Sequence, residues 1–297
     1  MLDLSIIVVS YHNAQDLPGL IASVNPAVGK LSWHATIVNN AGDEDLSALL
    51  ADADRVSIVD SGGNLGYSGG INTGLAHAPL ARVTVFLNPD LALRPDSMTL
   101  LVDALETAGA AVPRIVDAQG HRQDSLRREP TILRALGEAV FGDAWPKRPA
   151  ALSETVRDPA DYEHPHTIDW ATGAVLAIRR DVLEAVGPWD DARFFMYSEE
   201  TDYARRIREQ KRLLLYVPES AVTHRAGGSG SSPQLDALLE VNKVRYYRKW
   251  HGPVAAAVFR LIVLLRNLVR PHRPGARAAV RALVSRRTRD RLPGGHR

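Results

Sequence analysis

No cysteine occurs among the 297 residues. Disulfide frameworks, thiolate nucleophiles, cysteine zinc sites and iron–sulfur ligation are excluded together, so any metal must use oxygen or imidazole ligands. No uninterrupted apolar run approaches the roughly 20 residues of a spanning helix, because Arg260, Arg266 and Arg270 interrupt Val254 to Arg270. The N-terminus lacks a basic region and reaches Tyr11-His12-Asn13 before any signal-like stretch, which reads as a cytosolic start. Internal repeats and low-complexity segments are absent. A dinucleotide G-x-G-x-x-G fingerprint is missing too: Gly63, Gly66 and Gly69 are spaced three apart and follow a third strand instead of a first, which disfavours a dinucleotide oxidoreductase. What remains is ordinary globular composition, 45% hydrophobic and 24% charged, in a chain sized for one large unit plus an appendage.

The net charge of +2 conceals an asymmetry. Lys243 to Arg297 holds 15 Lys or Arg against one acid, Asp290, while the remaining residues hold 21 basic against 33 acidic side chains, a balance of −12. A basic tail on an acidic body suggests an anionic surface as partner. A membrane is expected and nucleic acid is not; a solvated tail is the plain alternative.

Leu4 to Ser10 reads as a strand buried on both faces, followed by a helical pattern from Tyr11–Leu17 to about Val24. Further strands are expected at Thr36–Val38, Val56–Val59 and Val83–Leu87, with helices at Leu46–Ala53 and Ile71–His77 between them. This alternation implies a single α/β, Rossmann-like domain with a mostly parallel sheet, in which ligands sit beyond the carboxyl ends of the strands. Those ends are polar: Ser10-Tyr11-His12-Asn13, Asn39-Asn40, the glycine-rich Gly62 to Asn72, and Asn88-Pro89-Asp90. They should converge on one crevice, and the glycine-rich stretch lets backbone approach an anionic ligand. Gly120 to Asp169, rich in Arg, Asp, Pro and His, has one helix at Thr131–Phe141 and reads as a mobile lid or as a surface insertion. Regular structure resumes at Thr167–Arg179, then a helix at Asp181–Val186 and a strand at Leu213–Val217.

Asp90 follows a proline at a strand end, where a carboxylate can hold a hard cation facing a diphosphate, although a turn aspartate there is equally ordinary. Downstream, Ser198 is a good N-cap for a helix with Glu199, Glu200 and Asp202 in its first turn. Glu200, Tyr203, Ala204 and Ile207 share the inward face, and Glu199, Asp202 and Arg206 another. Glu200 is then the acid expected in a cleft, where burial would raise its pKa and suit it to take a proton. His224 follows a strand and precedes glycines; alone, a histidine there is more often structural.

Together these segments resemble the family 2 inverting glycosyltransferases of the A-type nucleotide-sugar fold, in their rhamnosyltransferase-like branch. The resemblance runs from about Leu4 to Gly228 through Ser5–Tyr11, Asn64-Leu-Gly66, Asn72-Thr-Gly74, Asn88-Pro-Asp90, Thr172-Gly-Ala174, Phe194–Glu200, Asp202 and His224. It implies that Asp90 and His224 hold a divalent cation, Mg2+ or Mn2+, and that Glu200 is the base. Ser10, Tyr11, Asn39, Asn40, Asn64, Gly66, Asn72, Asn88 and Asp90 are expected on the donor side. Trp170, Thr172, Gly173, Trp189 and Glu199 are expected at the acceptor, the two tryptophans being equally ordinary as core residues. Two positions depart from the family pattern. Asn39 stands where an aspartate usually reads the base, and Glu200 is one methylene longer than the usual aspartate. Asparagine still offers a donor and an acceptor to a pyrimidine edge.

The function implied is transfer of a sugar, with dTDP-L-rhamnose the donor suggested by the branch, to a lipid-linked or polysaccharide acceptor at the inner face of the plasma membrane. UDP-galactofuranose or another nucleotide sugar, and nucleotide-sugar binding without turnover, stay open, as does a homodimer. The expected division is a catalytic domain at 1–232, with a nucleotide-binding half at 1–90 and an acceptor half at 91–232, and an amphipathic basic helical tail at 233–297. In that tail the three arginines of Val254–Arg270 fall at about 0°, 240° and 280° on a helical wheel, leaving a broad apolar face of interfacial type. Asn242 to His251 adds basic and aromatic residues suited to headgroup depth. Packing of the tail on the catalytic domain is the alternative.

Overall fold

A computed structural model describes residues 1–46, 55–225 and 232–295. The elements in order are β1 (Leu2–Ser10), α1 (Leu17–Val28), β2 (Trp33–Asn39), β3 (Val56–Asp60), α2 (Gly66–His77), β4 (Ala81–Leu87), β5 (Leu91–Leu93), α3 (Ser97–Ala104) and β6 (Ala110–Val116). There follow β7 (Leu126–Arg127), α4 (Ile132–Val140), β8 (His166–Thr167), β9 (Trp170–Ala171), β10 (Val175–Arg179), α5 (Arg180–Val186), α6 (Glu199–Glu209) and β11 (Leu214–His224). The chain closes with α7 (Pro233–Trp250), α8 (Pro253–Leu268), α9 (Ala276–Val284) and α10 (Arg286–Arg289). The helix expected over Leu46–Ala53 lies, apart from Leu46, outside the described residues.

The main sheet has the order β3-β2-β1-β4-β10-β6-β11-β5, with β8 on β11. Strands β1 to β4, β6 and β11 run in one direction, and β10, β5 and β8 oppose them. This is the mostly parallel α/β sheet expected. Alternation along β1 feeds two cores: Leu4, Ile6 and Val8 pack with Leu17, Leu20 and Val24 of α1, while Ile7 and Val9 pack with Ile71 of α2 and Phe86 of β4. Burial on both faces explains why β1 is apolar almost throughout. Helix α2 lies so close to β1 that a Cβ on Gly70 would sit 2.6 Å from a Val9 methyl.

Register levels the strand ends. Ser10 pairs with Asn39, Asn39 with Asp60, and Val8 with Leu87, so the loops after β1, β2, β3 and β4 leave from one sheet edge. His224 pairs with Leu91, which brings the end of β11 beside the residue following Asp90.

The segment from Gly120 to Asp169 is built into the body. β7 pairs with β9, Thr131 Oγ1 caps α4 by accepting the Arg134 amide at 3.2 Å, and the buried Tyr162 hydroxyl donates to the Val156 carbonyl at 3.0 Å. Helices α7, α8 and α9 form a third core that also takes in Ile132 and Ala135 of α4 and the Phe195–Tyr197 segment. The tail therefore packs against the body. Asn242, Tyr246 and Tyr247, expected at headgroup depth, are buried instead.

Candidate active site

A cavity of about 470 Å³ opens at the level strand ends. Of the expected donor residues, Tyr11, Asn40, Asn64, Gly66, Asn88 and Asp90 line it, with His224 opposite. Asn40 fixes the glycine-rich loop: its Oδ1 accepts the Leu65 amide at 3.0 Å and its Nδ2 donates to the Gly66 carbonyl at 3.2 Å. Gly66 adopts φ 74°, and a Cβ there would meet the Phe195 carbonyl oxygen at 2.1 Å, so glycine is required twice over. The Tyr67 amide donates to that same carbonyl at 2.8 Å.

Three expected donor residues do not line the cavity. Asn39 donates to the Glu44 carbonyl at 2.6 Å and accepts the Ala41 amide at 3.3 Å, holding its own loop. Asn72 forms a two-bond clamp on Trp189, both bonds 2.9 Å, and Ser10 is fully buried beside the cavity wall. The first two assignments tie up polar atoms that a ligand would need.

His224 Nε2 lies 3.2 Å from Asp90 Oδ1, and its Nδ1 faces Gln123 Oε1 at 3.4 Å. Burial pushes the Asp90 carboxyl up, but the hydrogen bond and charge of His224, with the charge of Arg225, outweigh it and hold Asp90 below the usual carboxylate range. An ionised carboxylate beside an imidazole suits Mg2+ or Mn2+ with the remaining positions left to diphosphate oxygens and water. Among the described residues no third His, Asp or Glu joins them.

The second feature lies behind Tyr67. Its hydroxyl donates to the Gly173 carbonyl at 3.0 Å, and beyond that boundary a small pocket is lined by Thr172, Gly173, Trp189 and Glu200. Glu200 is absent from the lining of the larger cavity; Tyr67 borders both. Glu199 is 5% exposed, so both first-turn glutamates point inward. Burial and the neighbouring Glu200 charge push Glu199 well up, and burial raises Glu200 less, because Glu199 donates a hydrogen bond to it and Arg127 lies nearby. Both carboxyls are thus pushed toward the protonated form, Glu199 further than Glu200.

Helix α6 is buried on two faces. Tyr203, Ala204 and Ile207 are buried as expected, and Asp202, on the other face, is buried too at 1% exposed, because α7 covers it. Lys249 Nζ lies 2.7 Å from Asp202 Oδ1, and the Trp250 indole donates to the same carboxylate at 2.9 Å. Ser198 stands at the N-cap position but makes no cap bond; it and Tyr197 have φ of 67° and 71°. Asn242 of α7 donates to the carbonyls of Met196 and Tyr197 at 2.7 and 3.2 Å, tethering this left-handed pair. Trp189 stacks on Tyr203 with centroids 4.3 Å apart, and Trp170 donates to the Arg128 carbonyl at 3.0 Å. Both tryptophans are buried, Trp189 at 3% and Trp170 at 8% exposed, and Trp189 also lines the small pocket beside Glu200.

Residues not singled out from sequence also reach the larger cavity: Asn13, Tyr67, Phe195, Met196, Leu235 and Pro293. The first two sit in the polar strand-end runs and could have been found there. Leu235 and Pro293 arrive through tail packing and carry no local signal.

A match to Glycosyl transferase family 2 spans residues 5–186. The chain belongs to this family. It is a glycosyltransferase. The N-acetylglucosaminyl-diphospho-decaprenol L-rhamnosyltransferase of Mycobacterium tuberculosis is 30% identical over 244 residues, 77% of this chain and 78% of that enzyme. The low-salt glycan biosynthesis hexosyltransferase Agl10 of Haloferax volcanii is 29% identical over 214 residues, 70% of this chain and 62% of that protein. Among solved structures, GalNAc-T7 with UDP, GalNAc and Mn2+ superposes with a TM-score of 0.57 at 16% identity over 90% of this chain, which spans only 54% of that enzyme. S. aureus TarS 1–349 gives 0.53 at 11% identity, covering 97% of this chain and 82% of that one. At such identities the structural likeness speaks to the A-type glycosyltransferase fold alone.

Proposed function

We propose that this glycosyltransferase moves L-rhamnose from dTDP-L-rhamnose to a lipid-linked glycan acceptor at the inner face of the plasma membrane, in cell-envelope glycan synthesis. The observation that carries this reading is the similarity to the mycobacterial rhamnosyltransferase across three-quarters of both chains. The site chemistry supports it. Asp90 and His224 would hold a divalent cation, which when bound neutralises charge on the departing nucleoside diphosphate. Asn40, Asn64 and the Gly66 turn position the donor, and the larger cavity keeps Tyr11 at its mouth, 43% exposed and free to cover a base. Glu200, the less strongly shifted member of its pair, takes the proton from the acceptor hydroxyl. A single displacement with one base opposite the leaving group inverts the anomeric centre. The Haloferax volcanii relative, a hexosyltransferase, supports another hexose donor such as UDP-galactofuranose as the second reading.

A melting-temperature panel of nucleotide sugars with and without Mg2+ or Mn2+ tests the reading. A donor at 100 times its Kd stabilises the fold by about 2.7 kcal/mol, and dTDP-L-rhamnose should give the largest metal-dependent shift. Asp90→Asn should abolish the metal dependence while leaving the unliganded melting temperature within a few degrees. A larger shift with UDP-galactofuranose would move the assignment to that donor, and undiminished metal dependence in the variant would remove Asp90 from the cation site.

A further inference from the structure

Helix α8 is divided lengthwise. Ala256, Phe259, Ile262 and Val263 are buried. Val254, Val258, Leu261, Leu265 and Leu268 fall four, three, four and three residues apart on the opposite side, and each is between 41% and 77% exposed. This ridge runs the length of the helix, about 24 Å. Polar residues of α8 turn away from it: Arg260 donates to the Leu283 carbonyl of α9, while Arg266 and Asn267 reach Glu240 of α7 at 3.3 and 3.1 Å. Alongside α8, helix α4 leaves Leu133, Leu136 and Val140 exposed at 59%, 39% and 63%. Their spacing of three and four gives α4 a second outward apolar stripe. An apolar surface of this extent marks an interaction site.

Charge decides what covers it. Residues 243–297 carry 15 basic side chains against one acid, while the rest of the chain is negative. Helix α9, packed on α8, exposes Arg277 and Arg281, and α10 exposes Arg286 and Arg287. A second copy meeting this face by its own equivalent would bring the same positive charge against it. An anionic bilayer supplies both the apolar depth and the opposite sign. No helix of the described residues is long and apolar enough to cross a membrane, so the face would lie on one.

We propose that α8 and α4 form a docking face for an anionic lipid surface, with the α8 ridge below the headgroups and the arginines of α9 and α10 at the phosphates. The proposal shares the lipid-linked acceptor with the proposed function, but its test reads binding without turnover and with no donor present, so either can fail alone.

The test is flotation of the full chain with vesicles of phosphatidylcholine alone or carrying roughly a third phosphatidylglycerol. The wild-type chain should float with the anionic vesicles and stay behind with the neutral ones. Leu261→Glu with Leu265→Glu should reduce flotation at least about tenfold while keeping the wild-type melting temperature and nucleotide-induced shift. Arg277→Glu with Arg281→Glu, changes at exposed positions outside the ridge, should weaken binding and flatten its salt dependence, giving a second route should the first variant fold poorly. The proposal is overturned if the wild-type chain ignores anionic vesicles, or if both folded variants float as it does. It is also overturned if lipid-free wild-type chain is a dimer that the leucine variant dissolves, since a second copy would then own the ridge.

Discussion

The two halves of the active site are held together by different means. Two anchors of the donor cavity come from neighbouring strand ends: Asn40 holds the Gly66 turn, and Asp90 meets His224 because β5 pairs with β11. The glutamate pair is held from far away. Its preceding residues are left-handed, tethered by Asn242, and its helix is pinned to α7 through Asp202. A parallel sheet positions ligand groups by register alone, whereas an acid on a helix start depends on whatever covers that helix. The basic tail is therefore brace and surface at once: α7 supports the chemistry, and α8 turns its apolar ridge outward.

The largest expected effect separates the two halves cleanly. Glu200→Gln should reduce sugar transfer by roughly 10² to 10⁴, the scale of a positioned general base, with calorimetric donor affinity close to wild type because the donor cavity does not include Glu200. Glu199→Gln should cost much less activity. Reversed effects would make Glu199 the base and overturn the division of the pair.

Next comes the brace. Asp202→Ala removes a buried carboxylate shared by Lys249, Trp250 and Arg206, leaving Arg206 of α6 without its carboxylate and Lys249 of α7 with Asp190 alone. Breaking such a buried pair costs about 3–5 kcal/mol. The denaturant midpoint should fall accordingly, and the donor-induced melting shift should persist in whatever protein remains folded. A loss under about 1 kcal/mol would mean that the contact behaves as a surface ion pair and that α7 is not a brace. The same loss appearing only as weaker donor binding would tie the brace to the wrong half.

This contrast also explains what was legible in the sequence. Apolar strand runs alternating with helical patterns, and polar strand ends, gave the sheet, its open edge and six of the cavity-lining residues, since these are local properties of β1 to β4 and the residues that follow them. Asn39 and Asn72 failed for one reason: a carboxamide near a ligand crevice can serve ligand or backbone equally well, and only the partner's position decides. Helical periodicity placed Tyr203, Ala204 and Ile207 on the inward face correctly but did not reveal that the face of Asp202 is buried too, because it reads one buried face and α6 has two. The same limit hid the tail's role. A wheel of α8 reveals a wide apolar face without revealing that half of it is covered by α7 and α9.

The smallest effect sharpens the comparison through pH. Glu199 has a folded-state pKa well above its ordinary value, chiefly from burial and then from the Glu200 charge. A carboxyl whose pKa rises on folding binds its proton more tightly in the folded state. Its stabilising contribution is complete below the unfolded pKa, about 4.3, and is lost as pH rises through the folded value. Glu199→Gln fixes the neutral, hydrogen-bonding form, so the variant should match wild type near pH 4 and become progressively more stable than wild type toward neutral pH. Denaturant midpoints measured across that range check it. Two stability curves that stay parallel would mean that the proton does not reside on Glu199.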